Sequence, residues 1–177
     1  IYPDEGIATV GTLAFAADHP LALDLTSDTV MQSFIIGALG GQIYAMPGMR
    51  TKLHLSADAP GVFEGENMQF SGAGFHTQKF RAHAMSNGDL AAWLDAARQV
   101  AVPLDAAAYT TLAERSTKDQ VRAAFPRAMM PDGTVVFNIP DKRLFDKILA
   151  QYRGPVPAIN QAGSLVYQNS TSSGGKP

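Results

Sequence analysis

In two runs of the first half of the chain, Leu21-Ala22-Leu23-Asp24-Leu25-Thr26 and Thr51-Lys52-Leu53-His54-Leu55-Ser56, apolar and polar side chains alternate with a period of two. Successive side chains of an extended strand point to opposite faces, so each run buries one face and wets the other, as a packed sheet requires. Further β-favouring runs cover residues 7–15, 31–36, 61–64 and 78–84. Turn residues separate them: Asp18-His19-Pro20, Pro47-Gly48 and Ala59-Pro60-Gly61, where proline fixes φ and glycine permits positive φ. Short strands with this punctuation predict a mainly β fold, a Greek-key β-sandwich over residues 1–86.

The pattern changes after Met85. Ser86-Asn87-Gly88-Asp89 is a helix-start signal, and Leu90, Trp93, Leu94 and Ala97 follow at helical spacing. A second helix is expected over residues 105–114 and a third over 141–152, where Leu144, Phe145, Ile148 and Leu149 form one stripe. Between them, Asp132-Gly133 and the run to Asn138 predict a turn and a short strand confined by Pro131 and Pro140. Residues 87–153 thus read as a helical arm, and residues 154–177 as an extension whose Ser/Gly-rich end, 170–177, is expected to be a flexible tail.

With 177 residues, 46% of them hydrophobic, the chain is long enough to bury a substantial core. A formal charge of -2 provides no basic footprint for nucleic acid. The absence of cysteine excludes disulfides and thiolate metal sites. No run approaches the roughly 18 apolar residues needed to span a bilayer. The chain starts at Ile1, which reads as a piece cut downstream of a membrane anchor.

Catalytic motifs are absent. Ser71 lacks the Gly-x-Ser-x-Gly frame, and Gly72-Ala73-Gly74 gives half a dinucleotide fingerprint in a β context. Glu64 and Glu66 are expected to face solvent, as are His19, His54, His76 and His83, although His54 and His83 lie on strands that would let them meet across a sheet. Met31, Met46, Met49 and Met68 are soft thioether donors, but methionine more often fills a core.

The most specific segment is residues 65–80, Gly-Glu-Asn-Met-Gln-Phe-Ser-Gly-Ala-Gly-Phe-His-Thr-Gln-Lys-Phe. Upstream of it stand Gln42-Ile43-Tyr44-Ala45-Met46-Pro47-Gly48-Met49 and Ala59-Pro60-Gly61-Val62-Phe63-Glu64. These three ordered blocks resemble subunit II of cytochrome bo-type ubiquinol oxidases, in the haem-copper oxidase superfamily. Copper-bearing members of that superfamily read Cys-x-Glu-x-Cys-x-x-x-His-x-x-Met in the loop, with another His upstream. At those positions this chain has Asn67, Gln69, Ser71, Phe75 and Gln78, and Met31 at the upstream place.

The resemblance implies a cupredoxin-like domain that has lost its dinuclear copper site, followed by an aromatic-containing C-terminal arm. It implies no cofactor in this fragment, since the haems and one copper belong to subunit I. Gln69 stands where copper-bearing relatives turn a glutamate toward magnesium, and a neutral amide suits that hard cation less well. The implied partners are subunit I and other oxidase subunits, the implied place is the periplasmic face of the bacterial inner membrane, and the implied whole oxidises ubiquinol, reduces oxygen and pumps protons. Subunit contacts are expected at Phe34, Ile43, Tyr44 and Pro47, with Trp93 tying the arm to the sandwich. The competing reading is a soluble periplasmic copper-binding or partner-binding module.

Overall fold

The stretch 7–15 does not form one strand. Gly11 adopts φ +80°, a conformation that suits glycine, and breaks it into β1 (Ile7–Val10) and β2 (Thr12–Ala16), which join different sheets. These elements come from a computed structural model that describes residues 1–152 and two short paired strands, Ala158–Ile159 and Leu165–Val166. The remainder of the expected tail at 154–177 lies outside the described residues.

β2 is the edge of a five-stranded sheet with β8 (Lys79–Met85), β7 (Gly61–Glu66), β4 (Gln32–Ile36) and β5 (Gln42–Ala45), in that order. β2 and β8 run parallel; the other pairs are antiparallel. The two alternating runs become β3 (Leu21–Leu25) and β6 (Thr51–Leu55), paired antiparallel from Leu21↔Leu55 to Leu25↔Thr51. Leu21, Leu23, Leu53 and Leu55 face inward and meet Phe15, Ile36, Ala82 and Ala84 of the five-stranded sheet in one core. The predicted mainly β fold is therefore a β-sandwich with a helical arm, with apolar faces of two sheets removing each other from water.

One close approach fixes the packing of this sandwich. Gly65 on β7 sits opposite Phe80 on β8, and a Cβ at residue 65 would fall 2.0 Å from the Phe80 ring. That ring cannot easily retreat, because it stacks on Phe34 with centroids 5.0 Å apart. Gly65→Ala is expected to lower stability by about 2 kcal/mol through overpacking, seen as a lower urea midpoint at unchanged slope.

β1 pairs with β10 (Val135–Asn138), which also pairs in parallel with β9 (Val102–Pro103). Residues Ile7–Val10 thus belong to the sheet of the arm, across the boundary expected at residue 86. β10, expected as a short confined strand, is the centre of this sheet, and Val136 and Phe137 are 0% exposed. Pro131 and Pro140 do not prevent this, because both lie outside the hydrogen-bonded ladder. One face of the sheet buries Ala8, Val135 and Phe137 against Ala108, Val121 and Phe125; the other buries Ile7 and Val136 against Trp93, Ala97 and Met130.

The helices start where their caps allow. α1 (Asn87–Val100) is capped by Ser86, whose hydroxyl accepts from the Asp89 N–H at 3.1 Å, and α2 (Ala106–Ala113) by Asp105. α3 (Lys118–Ala124) was not foreseen, although Thr117 and Gln120 form a complete capping box. α4 (Leu144–Gln151) follows, with Leu149 buried. Among the described residues no helix is long and apolar enough to cross a membrane.

Candidate docking site around a polar hub

The loop after β7 folds back on the start of β4 because Asn67 offers both faces of its amide to partners from three segments. Asn67 is buried. Its Oδ1 accepts from the Ser33 N–H at 2.8 Å and the Gln69 N–H at 2.9 Å. Its Nδ2 has two protons and four oxygens in reach: Gln32 Oε1 at 2.5 Å, Gln78 Oε1 at 2.6 Å, the Gln69 carbonyl at 3.0 Å and Ser71 Oγ at 3.3 Å. The two shortest, to the glutamine side chains, take the protons. Ser33 Oγ accepts from the Met68 N–H at 2.7 Å, and the Asn67 N–H donates to the Gln78 carbonyl at 3.0 Å.

Of the six positions singled out in the sequence, Asn67, Ser71 and Gln78 therefore meet side chain to side chain, and Gln69 joins through its backbone. Met31 stands next to Gln32 and is exposed. Phe75 lies in a 3-10 turn and packs edge-on against Phe70, centroids 5.3 Å apart. The polar atoms around Asn67 are amide and hydroxyl oxygens. Such a donor set does not fit copper, which selects thiolate and imidazole. Among the described residues there is no cluster of three or more His, Cys, Asp or Glu side chains suited to a metal.

The histidines do not assemble. His54 faces Ala22 across the β3–β6 pair, whereas His83 lies in the other sheet between Ala14 and Val62, so the two do not pair across a sheet. Glu64 and Glu66 share Lys79, with N···O distances of 2.6 and 3.7 Å.

The expected contact residues separate into two kinds. Tyr44 is exposed, whereas Phe34 packs into the sandwich core and Ile43 and Pro47 are half-buried. The large exposed apolar side chains near the hub are Val30, Met31, Met49, Met68 and Phe70, the last 70% exposed. Sequence reasoning missed most of these as a group, because they lie on loops whose proximity only the fold creates. Thr26 Oγ1 donates to the Met46 carbonyl at 3.1 Å and Ser27 bridges Pro47, while Asn67 joins Gln32 and Ser33, so three loops share one end of the sandwich. Trp93 packs on Tyr2 and on the β1–β10 sheet.

Asp28, on the first of these loops, is held from the arm. Its carboxylate accepts from the Tyr109 hydroxyl at 2.9 Å and from the Tyr152 hydroxyl at 3.0 Å. Desolvation first, and then the Asp28 carboxylate to which it donates, push the Tyr109 phenol up to about 12. A raised folded pKa favours the protonated form, so this contribution to stability is complete below the ordinary phenol value and is lost as pH rises through about 12. A tyrosinate absorbance titration is expected to show late-titrating tyrosines, since burial also raises the phenols of Tyr2 and Tyr152, and Tyr109→Phe is expected to remove the component that ionises near pH 12.

No protein-family model matches the chain. Among curated proteins it is similar to the cytochrome bo(3) ubiquinol oxidase subunit 2 of Pseudomonas putida, with 49% identity over 121 residues, 68% of this chain and 38% of that protein. It is also similar to the ubiquinol oxidase subunit 2 of Acetobacter aceti, with 45% identity over 116 residues, 66% of this chain and 38% of that protein. The chain thus spans little more than a third of the length of these relatives. Among solved structures, the periplasmic domain of subunit II of cytochrome oxidase of Bradyrhizobium japonicum aligns with a TM-score of 0.48 and 19% identity, over 50% of this chain and 64% of that one. Across this shared region, about two thirds of its length, the chain is similar to cytochrome bo-type ubiquinol oxidase subunit 2.

Proposed function

We propose that this chain is the periplasmic domain of subunit II of a terminal oxidase that oxidises ubiquinol, reduces oxygen and pumps protons, and that the domain itself is non-catalytic. It works at the periplasmic face of the bacterial inner membrane, anchored by segments that precede it in the parent protein, with subunit I as its main partner. Its role is docking rather than electron relay. The observation that carries this reading is the hub: at positions where copper-bearing relatives place sulfur ligands, the Asn67 amide donates to the Gln32 and Gln78 side chains and Ser71 Oγ lies 3.3 Å from it. Ubiquinol reaches its oxidation site from within the membrane, so an external metal relay is dispensable to such a complex.

The docking face is the loop end of the sandwich, where Val30, Met31, Met49, Met68 and Phe70 present apolar surface beside the hub. Exposed apolar residues gathered in one patch favour a protein partner over water. Detergent purification of the tagged full-length parent tests the reading. Haem-containing subunits are expected to be recovered with it, and Phe70→Asp is expected to reduce that recovery severalfold by desolvating a charge at the interface. Recovery of the wild-type parent without haem proteins contradicts the assignment.

A further inference from the structure

The hub is not the sole tie across the docking face. We propose that the arm acts as a brace that sets the shape of this face, holding residues 26–31 through Asp28 and residues 67–78 through the Ala73 carbonyl. Each oxygen of the Asp28 carboxylate takes a different tyrosine, Tyr109 from α2 and Tyr152 from the end of α4. Hydrogen bonds to an ionised acceptor are stronger than neutral ones, and two donors from separate helices fix the carboxylate in orientation as well as position. Tyr152 also lies against the third loop: a Cβ at Gly48 would stand 2.8 Å from its Cβ.

The second loop is held from the segment that joins α2 to α3. The Arg115 guanidinium donates to the Ala73 carbonyl at 2.5 Å, and Lys118 Nζ donates to the Lys79 carbonyl, just beyond the loop, at 2.8 Å. Residues of the arm thus contact all three loops of the face. A metal ligated by both the upstream segment and the loop would cross-link them directly. Here that task is divided between the neutral hub and the brace. The brace itself stands on these contacts; its purpose in docking rests on the function proposed above.

The chain has no cysteine, so Val30→Cys and Phe70→Cys each create a unique site for a spin label on an exposed loop position. In the Tyr109→Phe/Tyr152→Phe double variant, the rotational correlation time of the label at position 30 is expected to fall by about threefold, with the label at 70 unchanged. Arg115→Ala is expected to do the reverse. Each single tyrosine variant is expected to show a smaller effect, because the other hydroxyl still holds the carboxylate. Asp28→Ala, with an unchanged circular dichroism spectrum, provides a second variant that should reproduce the double. Labels that keep their mobility in all of these folded variants overturn the brace. Mobilised labels, with full retention of the double variant in the purified oxidase complex, overturn its role in docking. Failure of the wild-type parent to bring down haem subunits overturns the docking reading alone, and leaves the label result standing.

Discussion

Asn67→Ala is expected to lower the stability of the protein by about 3 kcal/mol, more than any other single change at the docking end. The side chain is buried, and its loss leaves the N–H of buried Ser33 and that of half-buried Gln69 without their acceptor and the half-buried Gln32 carbonyl without its donor, while exposed Gln78 turns to water. An orphaned buried polar group costs about 1–3 kcal/mol, whereas the net gain from one ordinary hydrogen bond is only about 1 kcal/mol. The asymmetry makes removal of the hub costlier than its bonds are worth singly. Asn67→Asp retains the acceptor oxygen, and the amides of Gln32 and Gln78 can rotate to donate to the new carboxylate. Its cost is expected to be less than half that of Asn67→Ala. Urea unfolding of both variants checks the ordering; equal losses would mean that Asn67 contributes packing rather than hydrogen bonding.

Phe137→Ala is expected to be more damaging still, at about 4 kcal/mol, because it opens a cavity at the centre of the arm. The side chain is fully buried on the central strand of the β1-β10-β9 sheet and meets the Phe125 ring edge-on at 4.9 Å. β1 pairs with this strand, so the damage is expected to reach residues Ile7–Val10 as well as the arm. Hydrogen exchange checks this: protection should fall in β1, β9 and β10 before it falls in β4, β7 and β8. Val62→Ala, at a position 64% exposed, serves as the contrast and should lie within about 0.5 kcal/mol of the parent.

The sandwich strands are legible in the sequence because each reports its own environment. Leu21, Leu23, Leu53 and Leu55 announce an inward face by alternation alone, and Ser86 and Asp105 announce helix starts by their side chains. The division of residues 7–15 into two strands has a local cause at Gly11, and glycine within a strand pattern is a known sign of a bulge or break. α3 was equally marked, by Thr117 and Gln120 at capping-box spacing.

What was not legible depends on segments distant in sequence. The burial of Val135, Val136 and Phe137 on both faces arises because β1 arrives from the other end of the chain and helices cover both sides. Prolines at 131 and 140 confine the strand to a short stretch, as the sequence implies, but nothing local to it shows that it lies at the centre of a sheet. Phe34 is expected at a subunit contact from the resemblance, and its ring stacks on Phe80 against the sandwich core. The six positions Met31, Asn67, Gln69, Ser71, Phe75 and Gln78 are those that the family resemblance aligns with the copper ligands of other members. That three of them would form one hydrogen-bonded hub follows from the return of the loop to Gln32 and Ser33, which sequence spacing alone does not specify.

The decisive measurement is a copper titration followed by visible absorption, on the parent domain and on one combined variant. That variant carries Met31→His, Asn67→Cys, Gln69→Glu, Ser71→Cys, Phe75→His and Gln78→Met. If the loop scaffold has kept the frame of a dinuclear centre while its side chains exchanged coordination for hydrogen bonding, the variant turns purple with copper and the parent stays colourless. A folded variant that remains colourless, or a parent that binds copper at submicromolar concentration, would contradict a retained scaffold with a metal-free docking role.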